Sequence, residues 1–169
     1  MSTSRAARAD IFSRIEREYG VPGAVITAFW GLETDYGGYM GEFSSLRSLA
    51  TLSCAGRRQA FFRGELFSAL RILQDGHVDP AALTGSWAGA FGHTQFMPST
   101  FERIAVDFDG DDRRDLVGSI PDALASTANY LKKAGWRSGE PWGFEVRLPD
   151  GFDAAAAGRK SKRPLSEWA

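Results

Sequence analysis

Cysteine is nearly absent from this sequence: Cys54 is the only one in 169 residues. A single thiol excludes an intrachain disulfide and a cysteine metal cluster. Following Leu52-Ser53, it has the setting of a small buried residue more than that of a nucleophile. An excess of one charge is lacking too. The 20 basic and 21 acidic residues nearly cancel, leaving a net charge of −1. Nothing global therefore argues for a nucleic-acid partner. No apolar run reaches the length of a membrane span. Residues 1–8 lack the apolar core of a signal peptide, which leaves two expectations open: a cytosolic protein, or an export signal outside this sequence. Internal repeats are also missing.

Aromatic residues are plentiful, at 12% with five Trp. That supply fits an aromatic-lined cleft and equally a large core. The length suits one domain with a core of its own.

One stretch organises the rest: Thr27-Ala28-Phe29-Trp30-Gly31-Leu32-Glu33-Thr34-Asp35-Tyr36-Gly37-Gly38. Pro22 stands where a first helical residue is favoured, and Gly37-Gly38 where a helix stops. The stretch between them reads as one helix of about four turns. At roughly 100° per residue, Val25, Phe29, Leu32 and Tyr36 form an apolar stripe flanked by Ile26 and Trp30. Glu33 projects inside that arc, and Asp35 points nearly the opposite way. A carboxyl among aromatics loses hydration, and a helix C-terminus adds negative partial charge; both favour its neutral form. That environment suits a general acid. It suits equally a Glu paired with an Arg across a core.

Around this stretch the chain reads as mainly helical. Residues 6–19 form a helix with Ile11, Phe12, Ile15 and Tyr19 on one side and Gly20 as its stop. A glycine-rich linker leads to a short helix over 45–53, then a longer one over 57–74. In the longer helix Phe61, Phe62, Leu66, Leu70 and Leu73 recur at core spacing. Asp79-Pro80 begins a short helix over 81–83. Another helix opens at Pro98 or Ser99, and a last one runs from about 119 to Lys133. Phe144-Glu145-Val146-Arg147-Leu148 alternates and reads as a strand. Beyond Pro149 the chain turns Ala-rich and then basic, Arg159-Lys160-Ser161-Lys162-Arg163. The expected division is a domain over 6–150 and a linker-like tail over 151–169.

Two segments carry further chemistry. Residues 85–98 mix small, aromatic and polar side chains without a clean period. Glycines there permit close backbone approach, as a ligand-facing wall or a tight helix crossing would require. Residues 107–115 form an acidic loop with Asp107, Asp109 and Asp111 at alternate positions and a backbone carbonyl at Arg113 next. Asp112 stands where a calcium loop wants Gly, and Gly118 where it wants a bidentate Glu. Asp122 is placed to close a site from the following helix. A solvated acidic turn has the same spacing.

Three motifs together resemble the membrane-bound lytic transglycosylase B group of peptidoglycan-cleaving enzymes (glycoside hydrolase family 103). They are Trp30-Gly31-Leu32-Glu33-Thr34-Asp35-Tyr36-Gly37, the whole of residues 85–99, and Ala105-Val106-Asp107-Phe108-Asp109-Gly110-Asp111. Ala125-Ser126-Thr127-Ala128-Asn129-Tyr130-Leu131 and Gly135-Trp136 continue the similarity, which spans about 8–153.

The resemblance implies a lysozyme-like α+β domain with Glu33 as the sole catalytic acid/base. It implies Ser86, Gln95 and Tyr130 in the glycan cleft. It implies a structural Ca²⁺ held by Asp107, Asp109, Asp111, the Arg113 carbonyl and Asp122. The partner would be the peptidoglycan glycan strand, met by a monomer in the periplasm of the bacterial envelope. Members of the family carry further chain before the first helix and after Leu148, the latter lending an Asn and aromatics to the cleft. The chemistry agrees with one carboxyl on the Glu33 face, since ordinary glycosidases need two. Two rivals remain: a module that grips glycan without turnover, and a lysozyme-type hydrolase with a second carboxylate near Glu33. Trp87 and Phe91 are candidates for packing on sugar faces or for burial, and His93 has no assigned role.

Overall fold

The computed structural model describes residues 3–141, 143, 145–158, 164 and 166, with side chains from residue 9 onward except Ala156. Among these, six α-helices and one two-stranded sheet occur: α1 (Thr3–Tyr19), α2 (Gly23–Thr34), β1 (Phe43–Ser44), α3 (Ser45–Cys54), α4 (Gln59–Gln74), β2 (Thr84–Gly85), α5 (Pro98–Ile104) and α6 (Ile120–Lys133). A 3₁₀ turn follows at Ala154–Ala156. The chain divides into two compact units, Met1–Ser138 and Gly139–Ala169. All the helices lie in the first. No described helix is long and apolar enough to cross a membrane.

Local chemistry explains most boundaries. Ser44 caps α3 by accepting from the Arg47 amide, and Ser119 caps α6 by accepting from the Asp122 amide. Pro98 and Pro121 occupy first-turn positions of α5 and α6, where a missing N–H costs nothing. The core forms two clusters. One joins α3, α4 and α5 through Leu49, Phe62, Ile72, Phe91 and Phe101; the other joins α1, α2 and α6 through Ile15, Ile26, Trp30, Leu124 and Ala128. Helix α6 serves both, because Ala123 packs in the first and Leu124 and Ala125 in the second. Its residues from Asp122 to Ala128 are all buried, as befits a helix packed on every side.

Cys54, expected to be buried, is exposed, and four further expectations of the fold need correction. Helix α2 ends at Thr34, and Asp35 and Tyr36 follow with positive φ of 50° and 59°. Tyr36 thus leaves the helical stripe; its ring folds back edge-on to Trp30, 5.7 Å between centroids. On α4, Phe61 and Leu70 are exposed, whereas Phe62, Glu65, Ser68, Ala69 and Ile72 are buried. The buried arc is turned because the Glu65 carboxylate is needed inside. It accepts the Ser99 amide at 2.8 Å and the Ser99 hydroxyl at 2.7 Å, securing the first turn of α5. Residues 80–82 are a turn rather than a helix, with the Asp79 carboxylate accepting the Ala81 amide at 2.8 Å.

Finally, residues 145–148 form no strand, and Phe144 lies outside the described residues, as does the basic run 159–163. Val146 and Leu148 are exposed; alternation makes a strand only where a partner takes its backbone hydrogen bonds. The sheet is elsewhere, with Phe43 opposite Gly85 and Ser44 opposite Thr84 in an antiparallel pair. Gly41, just before β1, lies so close to β2 that a Cβ would stand 2.2 Å from the Gly85 carbonyl oxygen.

Candidate active site

Glu33 occupies the last turn of α2. It is exposed rather than held among aromatics, because the buried face of α2 is Ile26, Trp30 and Thr34, one step round the helix. Two adjoining hollows meet at Glu33 and Gln95. The first, about 230 Å³, is walled by Phe29, Thr94, Phe96, Met97 and Tyr130, among others. The second, about 190 Å³, is walled by Tyr39, Phe43, Ser86 and Trp87 with Gly41 and Gly85. Together they make one cleft of apolar surface with few polar groups, the usual make-up of a ligand site. Glu33 is the only carboxylate in either lining.

The structure brings the expected cleft residues to this place. Tyr130 lies in the first hollow, its ring 5.9 Å from that of Phe96. Ser86 lies in the second, where its Oγ accepts the Ala90 amide at 3.1 Å. Gln95 borders both. Its Nε2 donates to the carbonyls of Met40 and Gly92, each at 3.0 Å. With both amide protons spent, its Oε1 is the atom it can offer a ligand. The two aromatics of the segment part company: Trp87 is exposed in the second hollow, while Phe91 is fully buried.

Residues 85–98 are an irregular wall, and His93 explains how it is anchored to α2. The Trp30 indole donates to His93 Nδ1 at 3.2 Å, placing the imidazole proton on Nε2. The Thr34 hydroxyl donates to the His93 carbonyl at 2.7 Å and accepts the Gly37 amide at 3.1 Å. Gly37 has φ of 84°, and a Cβ there would stand 2.5 Å from the His93 ring. Burial pushes the His93 pKa below its usual 6.5, with Asp115 opposing. Thr34 lies one helical turn after Trp30 and so on the same face of α2; its long-range bonds to His93 had no signal in sequence. Thr94, Phe96 and Met97 were likewise missed as cleft residues, because an aperiodic segment does not announce which side chains face a void.

The acidic loop is organised around Asp122, which is fully buried. Its carboxylate accepts the amides of Phe108 at 2.8 Å, Asp109 at 3.3 Å and Asp115 at 2.9 Å. Burial raises its pKa, against the lowering effect of those amides. Asp107, Asp109, Asp111 and Asp122 each offer an oxygen within 4.8 Å of the others. Oxygen ligands at about 2.4 Å from one Ca²⁺ are at most about 4.8 Å apart, so the donor set fits that ion. The Arg113 amide donates to Asp111 at 2.9 Å, holding Arg113 within the loop.

A helical scaffold with a lone carboxylate at a helix end, facing an aromatic-walled cleft, is of the lysozyme-like class. Residues 3–169 match the family model described as the transglycosylase SLT domain, and the chain belongs to that family. The membrane-bound lytic murein transglycosylase B of Escherichia coli (strain K12) is 41% identical over 169 residues, covering 92% of this chain and 46% of that protein. The crystal structure of SltB3 from Pseudomonas aeruginosa in complex with NAG-NAM-pentapeptide superposes with a TM-score of 0.91 at 51% identity, over 98% of this chain and 44% of that one. The Escherichia coli lytic transglycosylase Slt35, solved in complex with calcium, gives a TM-score of 0.76 at 42% identity, over 80% of this chain and 44% of that one. The chain thus spans less than half the length of these relatives.

Proposed function

We propose that this chain cleaves the glycan strands of peptidoglycan between N-acetylmuramic acid and N-acetylglucosamine, as a lytic transglycosylase. The observation that carries the reading is the single carboxylate of the cleft. Glu33 borders both hollows, and no second Asp or Glu lines either, as a two-carboxylate hydrolase would require. One carboxyl is enough if the substrate supplies its own nucleophile. Glu33 protonates the glycosidic oxygen as the C1–O bond breaks. The resulting carboxylate takes the proton of the muramoyl C6 hydroxyl, whose oxygen bonds to C1 and closes a 1,6-anhydro ring. No water is consumed, and Glu33 ends protonated as it began.

The neighbouring side chains hold the sugars. Gln95 Oε1 and Ser86 Oγ supply hydrogen bonds, and Tyr130 and Trp87 supply aromatic faces on either side of Glu33. Calcium, when bound by Asp107, Asp109, Asp111, the Arg113 carbonyl and Asp122, neutralises the acidic cluster and stiffens the loop that leads into α6. Its role is structural. The place of action follows from the substrate, the bacterial envelope and its periplasm; the relative called membrane-bound supports that setting. The test is mass spectrometry of the products of purified peptidoglycan. Anhydromuramoyl ends from the wild type and none from Glu33→Gln are expected. Reducing ends, heavier by one water, would identify a hydrolase instead.

A further inference from the structure

Three threonines are buried in the described structure: Thr34, Thr94 and Thr127. The hydroxyls of two are paired, Thr34 with the His93 carbonyl at 2.7 Å and Thr127 with the Ala123 carbonyl at 2.9 Å. Thr94, only 6% exposed, is the exception: its Oγ1 is buried with no hydrogen-bond partner. Buried polar groups in folded proteins are rarely left so. The only other such side-chain atom among the described residues, Ser45 Oγ, lies outside both hollows of the cleft. Thr94 lines the first hollow, beside Glu33.

The backbone cannot move to satisfy it. On one side the His93 amide is bound to the Leu116 carbonyl at 2.9 Å and the His93 carbonyl to Thr34. On the other the Gln95 amide is bound to the Gly92 carbonyl at 3.2 Å, with φ at Gln95 of 52°. One rotamer step in χ1 would re-aim the hydroxyl without moving this backbone. A pinned loop thus holds an unsatisfied hydroxyl in the wall of a ligand cleft. Phe29, Phe96 and Met97 give part of the same wall an apolar surface, beside the polar groups of Glu33, Gln95 and Thr100. The complement of a hydroxyl donor next to apolar surface is a carbonyl oxygen carrying a methyl group. An N-acetyl substituent has both; a free amine or a ring hydroxyl lacks the methyl.

We propose that the Thr94 hydroxyl donates a hydrogen bond to the acetamido carbonyl of the sugar seated in the first hollow, and so selects N-acetylated glycan. The proposal rests on the glycan-cleft reading above and assigns one contact within it. Its test is isothermal titration of N-acetylglucosamine tetramer and of the de-N-acetylated tetramer, with Glu33→Gln as the non-cleaving background. Adding Thr94→Val is expected to weaken the acetylated tetramer about tenfold, the size of one good hydrogen bond. It should leave the de-N-acetylated tetramer unchanged, and Thr94→Ser should restore binding. Because no partner is lost on folding, the melting temperature of Thr94→Val should equal or exceed that of its parent.

Equal affinity of parent and Thr94→Val for the acetylated tetramer overturns the proposal, as does an equal loss for both ligands. A melting temperature lowered by several degrees also overturns it, by giving the hydroxyl a structural partner. Failure of the Glu33→Gln parent to bind either tetramer overturns the glycan-cleft reading itself, and this contact with it.

Discussion

The indole nitrogen of Trp30 and Nδ1 of His93 lie 3.2 Å apart, joining residues 63 positions distant in sequence. The bond ties the helix that carries Glu33 to the segment that carries Ser86 and Gln95. It requires a neutral imidazole on the accepting side.

Stability should therefore depend on pH through His93. Burial holds its folded pKa below the usual 6.5. His77 is shifted the same way by burial and then by Arg114. Between the folded value and 6.5 the unfolded chain binds more protons, so stability is fully present above 6.5 and falls as pH drops through that window. The slope is at most about 1.4 kcal/mol per pH unit for each histidine. Urea midpoints at several pH values should fall more steeply for the wild type than for His93→Gln, which keeps an acceptor for Trp30 but does not titrate. Parallel curves would remove His93 from the account.

Thr34→Val should cost about 1–3 kcal/mol, since it leaves the His93 carbonyl and the Gly37 amide without their buried partner. Cleavage should decline more than stability at a temperature where the variant is fully folded, because the wall and Glu33 lose their register. Chemical denaturation and initial rates on the same preparation measure both.

Glu65→Ala removes both contacts to Ser99. Hydrogen bonds to a buried carboxylate carry more than neutral ones, and a loss of about 2–3 kcal/mol is expected. A variant as stable as the wild type would show that α5 needs no such support.

Calcium should raise the melting temperature of the wild type, and a chelator should reverse the rise, as mass action requires of a ligand bound by the folded state. Asp111→Asn should blunt the response while leaving the loop folded, since among the described residues Asp111 accepts only the nearby Arg113 amide. A melting temperature indifferent to calcium would contradict the proposed site.

Much of this was legible in sequence, and the gaps have physical causes. Gly, Pro and Ser mark helix ends by local backbone chemistry, so α3 and α6 begin close to where their caps predict. The motif around Glu33 and the alternate aspartates were readable because their spacing is local. The buried face of α4 was not, because an apolar count cannot foresee that Glu65 turns inward to hold a helix 34 residues away. Nor was the exposure of Glu33: an apolar arc does not say whether it packs on protein or borders a hollow. The sheet escaped notice since its strands are two residues long and exist only by pairing across the chain.

Helix α6, enclosed along Asp122–Ala128, has a kinetic meaning as well. Opening either hydrophobic cluster takes away one of its sides, so its amide protons should be among the last in the first unit to exchange with deuterium, at a free energy near that of unfolding the whole unit.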